Sequence, residues 1–127
     1  MTPILAAAAL GFNLVCSGTQ WTGVEADRVI SSKEKGEAFT DIYRVDLERG
    51  RWCFGQCTTS QPITKITDNE LTLAQEGSGP PVSGATMISV NRETGYLVHL
   101  VFIGGYRFKR NAVCERAPLS GFPARKF

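Results

Sequence analysis

The sequence predicts an all-β fold, an antiparallel small β-barrel or sandwich of about seven or eight strands. Three observations predict it. Short runs of alternating apolar and polar residues recur along the chain, the period of a strand with one buried face. Turn residues punctuate them, as in Glu48-Arg49-Gly50-Arg51, Asp68-Asn69 and Arg92-Glu93-Thr94-Gly95. No stretch carries the apolar period of an amphipathic helix. Short strands joined by turns pack as a sandwich or roll into a barrel, and closure removes exposed edges.

The elements follow in order. Residues 1–11, MTPILAAAALG, are apolar and alanine-rich and end in Ala9-Leu10-Gly11. Small residues stand at the two positions that a signal peptidase reads, so this run is expected to be a signal-peptide remnant. A single β domain is expected over residues 12–117, and a basic C-terminal tail over 118–127. Phe12 to Thr19 reads as the first strand, with Phe12, Leu14 and Cys16 on one face, and Gln20 to Thr22 reads as its continuation around Trp21. Glu25 to Glu37 is charged and reads as a long surface loop. Ala38 to Leu47 is the second strand, with Tyr43, Val45 and Leu47 on one face. Ile63 to Thr67 and Glu70 to Gln75 form a hairpin around Asp68-Asn69. Glu76 to Gly84, EGSGPPVSG, is a loop by composition. Thr86 to Asn91 and Tyr96 to Ile103 form a second hairpin. Both faces of Tyr96 to Ile103 are apolar, which predicts a central strand covered on both sides. Tyr106 to Val113 is the last strand.

Composition narrows the function classes. The chain has 127 residues, 43% of them hydrophobic, and a net charge of +2. That suits one folded domain. A nearly balanced charge argues against nucleic acid as partner, because nucleic-acid binders carry a strong basic excess. Nothing is long enough to cross a bilayer as a helix, which takes about twenty apolar residues.

Four cysteines, at 16, 53, 57 and 114, are the even number of a disulfide framework in an exported chain, and would mean thiols or a metal site in a cytosolic one. They allow three pairings. The expected one joins Cys53 to Cys57 across Gly55, and Cys16 to Cys114, first strand to last. No C-x-x-C redox motif is present.

Chemistry-bearing residues are sparse. His99 is the only histidine. It sits between Val98 and Leu100 and reads as a core or cross-strand residue. No nucleophile elbow accompanies it, and the cysteine spacing supplies one half of a zinc site at most. A non-enzymatic protein without cofactor or metal is therefore expected. Asp46 and Glu48 stand beside Arg44, Arg49 and Arg51, which suggests local ion pairing. From Tyr106 onward six Lys or Arg face one acid, Glu115. Arg107 and Lys109 share a strand face there. This reads as a charged edge strand, or as a patch facing an anion.

Leu14-Val15-Cys16-Ser17-Gly18-Thr19, then Tyr43-Arg44-Val45-Asp46-Leu47 with Gly50, Trp52, Cys53 and Cys57, then Asn91-Arg92-Glu93-Thr94-Gly95, in this order, resemble a group of small exported bacterial proteins of uncharacterised function, described as lipocalin-like. The resemblance implies an export signal and a compact β domain. It carries over no catalytic residues.

The expected function is that of a periplasmic or secreted binding module, taking a small apolar molecule into the interior of the fold. Candidate binding residues are Arg51, Trp52, Arg92, Tyr106 and Arg107, because aromatic and arginine side chains dominate binding hot spots. The alternative is an inhibitor or accessory subunit that docks on another exported protein, in the manner of lysozyme inhibitors, through the Cys53 to Cys57 loop.

Overall fold

The computed structural model describes residues 10–24, 36–77, 84–103 and 106–123. Nine strands are formed: β1 (Gly11–Val24), β2 (Glu37–Asp46), β3 (Arg51–Phe54), β4 (Gln61–Pro62), β5 (Lys65–Ile66), β6 (Glu70–Glu76), β7 (Gly84–Asn91), β8 (Tyr96–Ile103) and β9 (Tyr106–Pro118). They form one antiparallel sheet in the order β4-β3-β2-β1-β9-β8-β7-β6-β5, curled into a half-barrel, with no helix among the described residues. All-β and antiparallel is as expected. The count is nine and not seven or eight, because Arg51–Phe54, beyond the predicted turn, pairs with β2 as a strand of its own and because the segment from Gln61 to Ile66 is split. Residues Gln61 and Pro62 pair with β3, whereas Lys65 and Ile66 pair with β6.

That split explains the curl. β4 and β5 are the two outer edges of the sheet, yet only Ile63 and Thr64 separate them in sequence. The edges must therefore meet. Ile63 N donates to Gly50 O at 2.8 Å, and Thr64 N donates to Thr72 O at 3.0 Å. Successive residues thus bond to opposite sides of the seam.

The first and last strands hold the middle of the sheet. β1 pairs with β9 from Phe12↔Pro118 to Val24↔Tyr106. β9 continues past Val113 to Pro118 and is central, lying between β1 and β8, so the expected charged edge strand is not there. Gly18 lets the two backbones close. A Cβ at this position would lie 2.0 Å from Asn111 O and 2.6 Å from Ala112 Cα, which no side chain can occupy. Gly95, at φ 78°, closes the β7–β8 turn, and its carbonyl accepts from Cys114 N at 2.8 Å.

Alternation sorts the side chains. The inner face buries Phe12, Leu14, Tyr43, Val45, Leu71, Leu73, Ile88, Val90, Leu97 and Ala112. Residues of this kind contribute about 1.5–3 kcal/mol each when fully buried. Tyr43 and Val45 face inward as the pattern of β2 predicts; Leu47 is only partly buried, packed against the core. The outer face of β8 departs from expectation. Its strand is central by pairing, but no second layer among the described residues covers Tyr96 and Phe102, which are 44% and 40% exposed. The sheet curls away from that face, and the Arg107 guanidinium lies over the Phe102 ring at 5.3 Å.

Cys16 and Cys114 are direct register partners with Cα atoms 3.9 Å apart, and they form one disulfide. Cys53 and Cys57 form the other. Two disulfides are compatible with an oxidising compartment. Near the chain end, Leu119 to Pro123 folds back on the outer face of β1 and β2. Arg44 Nη1 donates to Ser120 O, Asn13 and Ser120 bond through their side chains at 2.9 Å, and Arg49 Nη1 donates to Pro123 O. Asp46 pairs with Arg49 at 3.2 Å, the local ion pairing expected of it. The readings for residues 1–9, 25–35, 78–83 and 124–127 lie outside the described residues.

Candidate functional site

The two ends of the half-barrel differ. At one end stand the turns at Leu47–Gly50, Thr67–Asn69 and Arg92–Gly95, and a recess of about 290 Å³ opens there onto Phe12, Leu14, Leu71 and Val90. At the other end β3 and β6 diverge beyond the Ile63–Thr64 seam. An open cavity of about 410 Å³ lies between them. Trp52 and Phe54 form one wall, Ile88 and Val101 the other, and His99 and Phe108 the back, with Glu76 among the remaining lining residues. The alternation of each strand supplies these side chains. Trp52 and Phe54 take the inward positions of β3, opposite Val45 and Tyr43, while His99 lies between Ile88 and Arg110 in register.

Behind the cavity lies a polar network that sequence reasoning missed. Arg110 is buried in the sheet interior. Its Nη1 donates to Tyr43 Oη at 3.0 Å and to Asp41 Oδ2 at 3.3 Å, and its Nε donates to Gln20 Oε1 at 2.9 Å. The guanidinium also lies 4.2 Å from the ring centre of Phe39, 5.3 Å from Phe108 and 5.5 Å from Phe54. A planar cation with weak hydration suits such a cage. Tyr43 Oη stands 2.7 Å from His99 Nδ1. Burial raises the Tyr43 pKa, against the opposing effect of Arg110, so the phenol keeps its proton.

The proton positions follow. Tyr43 Oη accepts from Arg110, and His99 Nδ1 is the one acceptor among the described residues within reach of its own hydrogen, so the arrangement that satisfies the phenol has it donating to Nδ1. A neutral imidazole that accepts at Nδ1 carries its proton on Nε2. Burial, and then the charge of Arg110, lower the His99 pKa to about 4, with Asp41 opposing. His99 is therefore neutral at pH 7. Its Nε2 has no protein partner among the described residues, and the ring lines the cavity. The Trp52 Nε1–H is sealed from solvent and has no acceptor among the described residues.

This predicts a pH dependence. The unfolded chain takes up a proton on His99 near pH 6.5, and the folded chain only near pH 4. Between these values the unfolded state binds more protons. The stability contributed by neutral His99 is thus complete above pH 6.5 and falls away down to about pH 4, by about 3 kcal/mol. Urea unfolding across this range should show the loss in the wild type and a flatter profile in His99→Phe. Parallel profiles for the two proteins would refute it.

The five candidate binding residues are not brought together. Trp52 lines the cavity. Arg51 lies at the end that carries the turns, with Nε donating to Ser60 Oγ at 2.7 Å. Arg92 is also there, donating from Nη1 to Thr67 O at 2.7 Å, and it lines the recess at that end. Tyr106 and Arg107 stand at the open end, both exposed, with Arg107 on the outer face. The solvated basic patch loses Arg110 to the interior. Among the described residues no group of three or more His, Cys, Asp or Glu able to hold a metal occurs, and there is no helix long and apolar enough to cross a membrane. Comparison of the chain with protein-family models, with curated proteins and with solved structures gives no match.

Proposed function

We propose that this protein is an exported, non-enzymatic binding module that takes a small apolar molecule into the open end of its half-barrel. The observation that carries the reading is the cavity of about 410 Å³, walled by Trp52, Phe54, Ile88, Val101 and Phe108. Its size falls within the range of small-molecule sites, about 300–1,000 Å³, and apolar walls with a few placed polar groups are their usual lining. The lipocalin-like resemblance points the same way. The two disulfides support export, since such bonds persist in oxidising compartments.

The test is a titration with N-phenyl-1-naphthylamine, an apolar dye that brightens when it leaves water. The wild type should bind it. Val101→Trp should weaken binding roughly tenfold or more, because Val101 is half-buried on the cavity wall and a larger side chain there fills the space. Absence of binding by the wild type, or equal binding by the variant, would remove this reading.

A further inference from the structure

The cavity has a chemical direction as well as a size. One side of it is apolar. At the back His99 presents an imidazole whose Nδ1 is committed to Tyr43 and whose Nε2–H has no partner among the described residues. A molecule that fills the cavity leaves this donor unsatisfied, at a cost of about 1–3 kcal/mol, unless it brings an acceptor. Another donor or an alkyl group cannot satisfy it.

The charge of the missing acceptor also follows. No Lys or Arg is among the cavity-lining residues, and Glu76 is. The nearest buried cation, Arg110, already donates to Asp41, Tyr43 and Gln20. An anion in the cavity would meet a like charge at Glu76 and no cation among the lining residues. An uncharged acceptor meets neither difficulty.

Resting on the cavity reading above, we infer that the site selects apolar molecules bearing an uncharged carbonyl, such as a ketone, ester or amide, and that His99 Nε2–H is the donor that receives it. Arg110 and Tyr43 are positioning residues. They fix which imidazole nitrogen carries the proton and do not touch the ligand. The imidazole needs no ionisation to act, because its neutral form already carries the proton where the carbonyl arrives, in keeping with the lowered pKa of about 4.

Three probes of one shape test this: 6-propionyl-2-(dimethylamino)naphthalene, its 6-propyl counterpart, and the counterpart with a propanoate chain. A neutral hydrogen bond contributes about 0.5–1.5 kcal/mol, so the ketone should bind about three- to tenfold more tightly than the propyl compound. That ratio should fall to about one in His99→Phe. A second readout needs no variant. His99 is the only histidine in the chain, so its ring nitrogens can be followed by ¹⁵N NMR in the wild type. The Nε2 resonance should move with the ketone and stay in place with the propyl compound. Equal binding of ketone and propyl compound with Nε2 unmoved would overturn the inference and leave the apolar cavity standing. A ketone preference that survives in His99→Phe would overturn the role of His99. Tighter binding of the propanoate would overturn the uncharged acceptor. Failure of all three to bind would remove the inference together with the cavity reading beneath it.

Discussion

Replacing Cys16 and Cys114 together by alanine is expected to lower stability by about 4–5 kcal/mol, whereas the same change at Cys53 and Cys57 should lower it by only about 2 kcal/mol. The difference comes from the unfolded chain. Cys16 and Cys114 are 98 residues apart in sequence, and Cys53 and Cys57 only 4. In the chain-entropy picture a crosslink removes freedom in proportion to the logarithm of the loop it closes, giving about 4.7 kcal/mol for a loop on the order of 100 residues. The native state gives little of that back. Cys16 and Cys114 sit mid-ladder in a pairing that runs from Phe12↔Pro118 to Val24↔Tyr106, so β1 and β9 stay in register without the bond. Alanine also introduces no buried hydroxyl where Cys16 is fully buried. Many domains of this size have total stabilities of 5–15 kcal/mol, so the first variant should unfold at far lower urea concentration. Paired urea titrations of the two double variants decide it. A loss at Cys53 and Cys57 equal to or greater than that at Cys16 and Cys114 would show that loop closure is not the source.

The sheet was largely legible in the sequence because its information is local. Tyr43 and Val45 take the inward positions that their alternation predicts. The turns at Asp68-Asn69 and Arg92-Glu93-Thr94-Gly95 stand between the strands that they were expected to join. Strand ends were less legible: β1 runs to Val24 and β9 to Pro118 because each extends the other's ladder, and a ladder between residues about a hundred positions apart leaves no local mark. The split of Gln61 to Ile66 between two neighbours is hidden for the same reason. The polar network is the clearest case. Tyr43 meets His99 across 56 positions and Arg110 across 67, so no spacing rule finds it. One signal was available. Phe108, Arg110, Ala112 and Cys114 share a strand face, and a cysteine bridged to an inward residue of β1 carries that whole face inward. Arg110 among other bases reads as solvated, yet the parity of its strand makes it an interior cation in need of partners.

Arg110→Met is expected to lower stability by about 4 kcal/mol, although it keeps much of the length and apolar stem of the side chain. Removing one member of a buried charged pair typically costs about 3–5 kcal/mol, because what remains is uncompensated. Here the remainder is Asp41, Gln20 and the Tyr43 oxygen, each of which loses its hydrogen bond to the guanidinium. The rings of Phe39, Phe54 and Phe108 lose a cation within 4.2–5.5 Å, an attraction worth about 0.5–2 kcal/mol when desolvated. The Asp41 side chain is 27% exposed and regains some water, which keeps the loss from growing further. A double-mutant cycle separates the pair from the cage. Asp41→Asn in the Arg110→Met background should cost much less than Asp41→Asn alone, since the charge that Asp41 compensates is already gone. A second consequence reaches the cavity. Arg110 is one of the two forces that hold the His99 pKa down, so its removal should move that pKa up toward 6.5. The acid-side loss of stability would then span a narrower range of pH. If Arg110→Met instead left both the urea midpoint and the His99 titration unchanged, the guanidinium would be a bystander in the barrel, and the proton on His99 Nε2 would have to be held in place by Tyr43 alone.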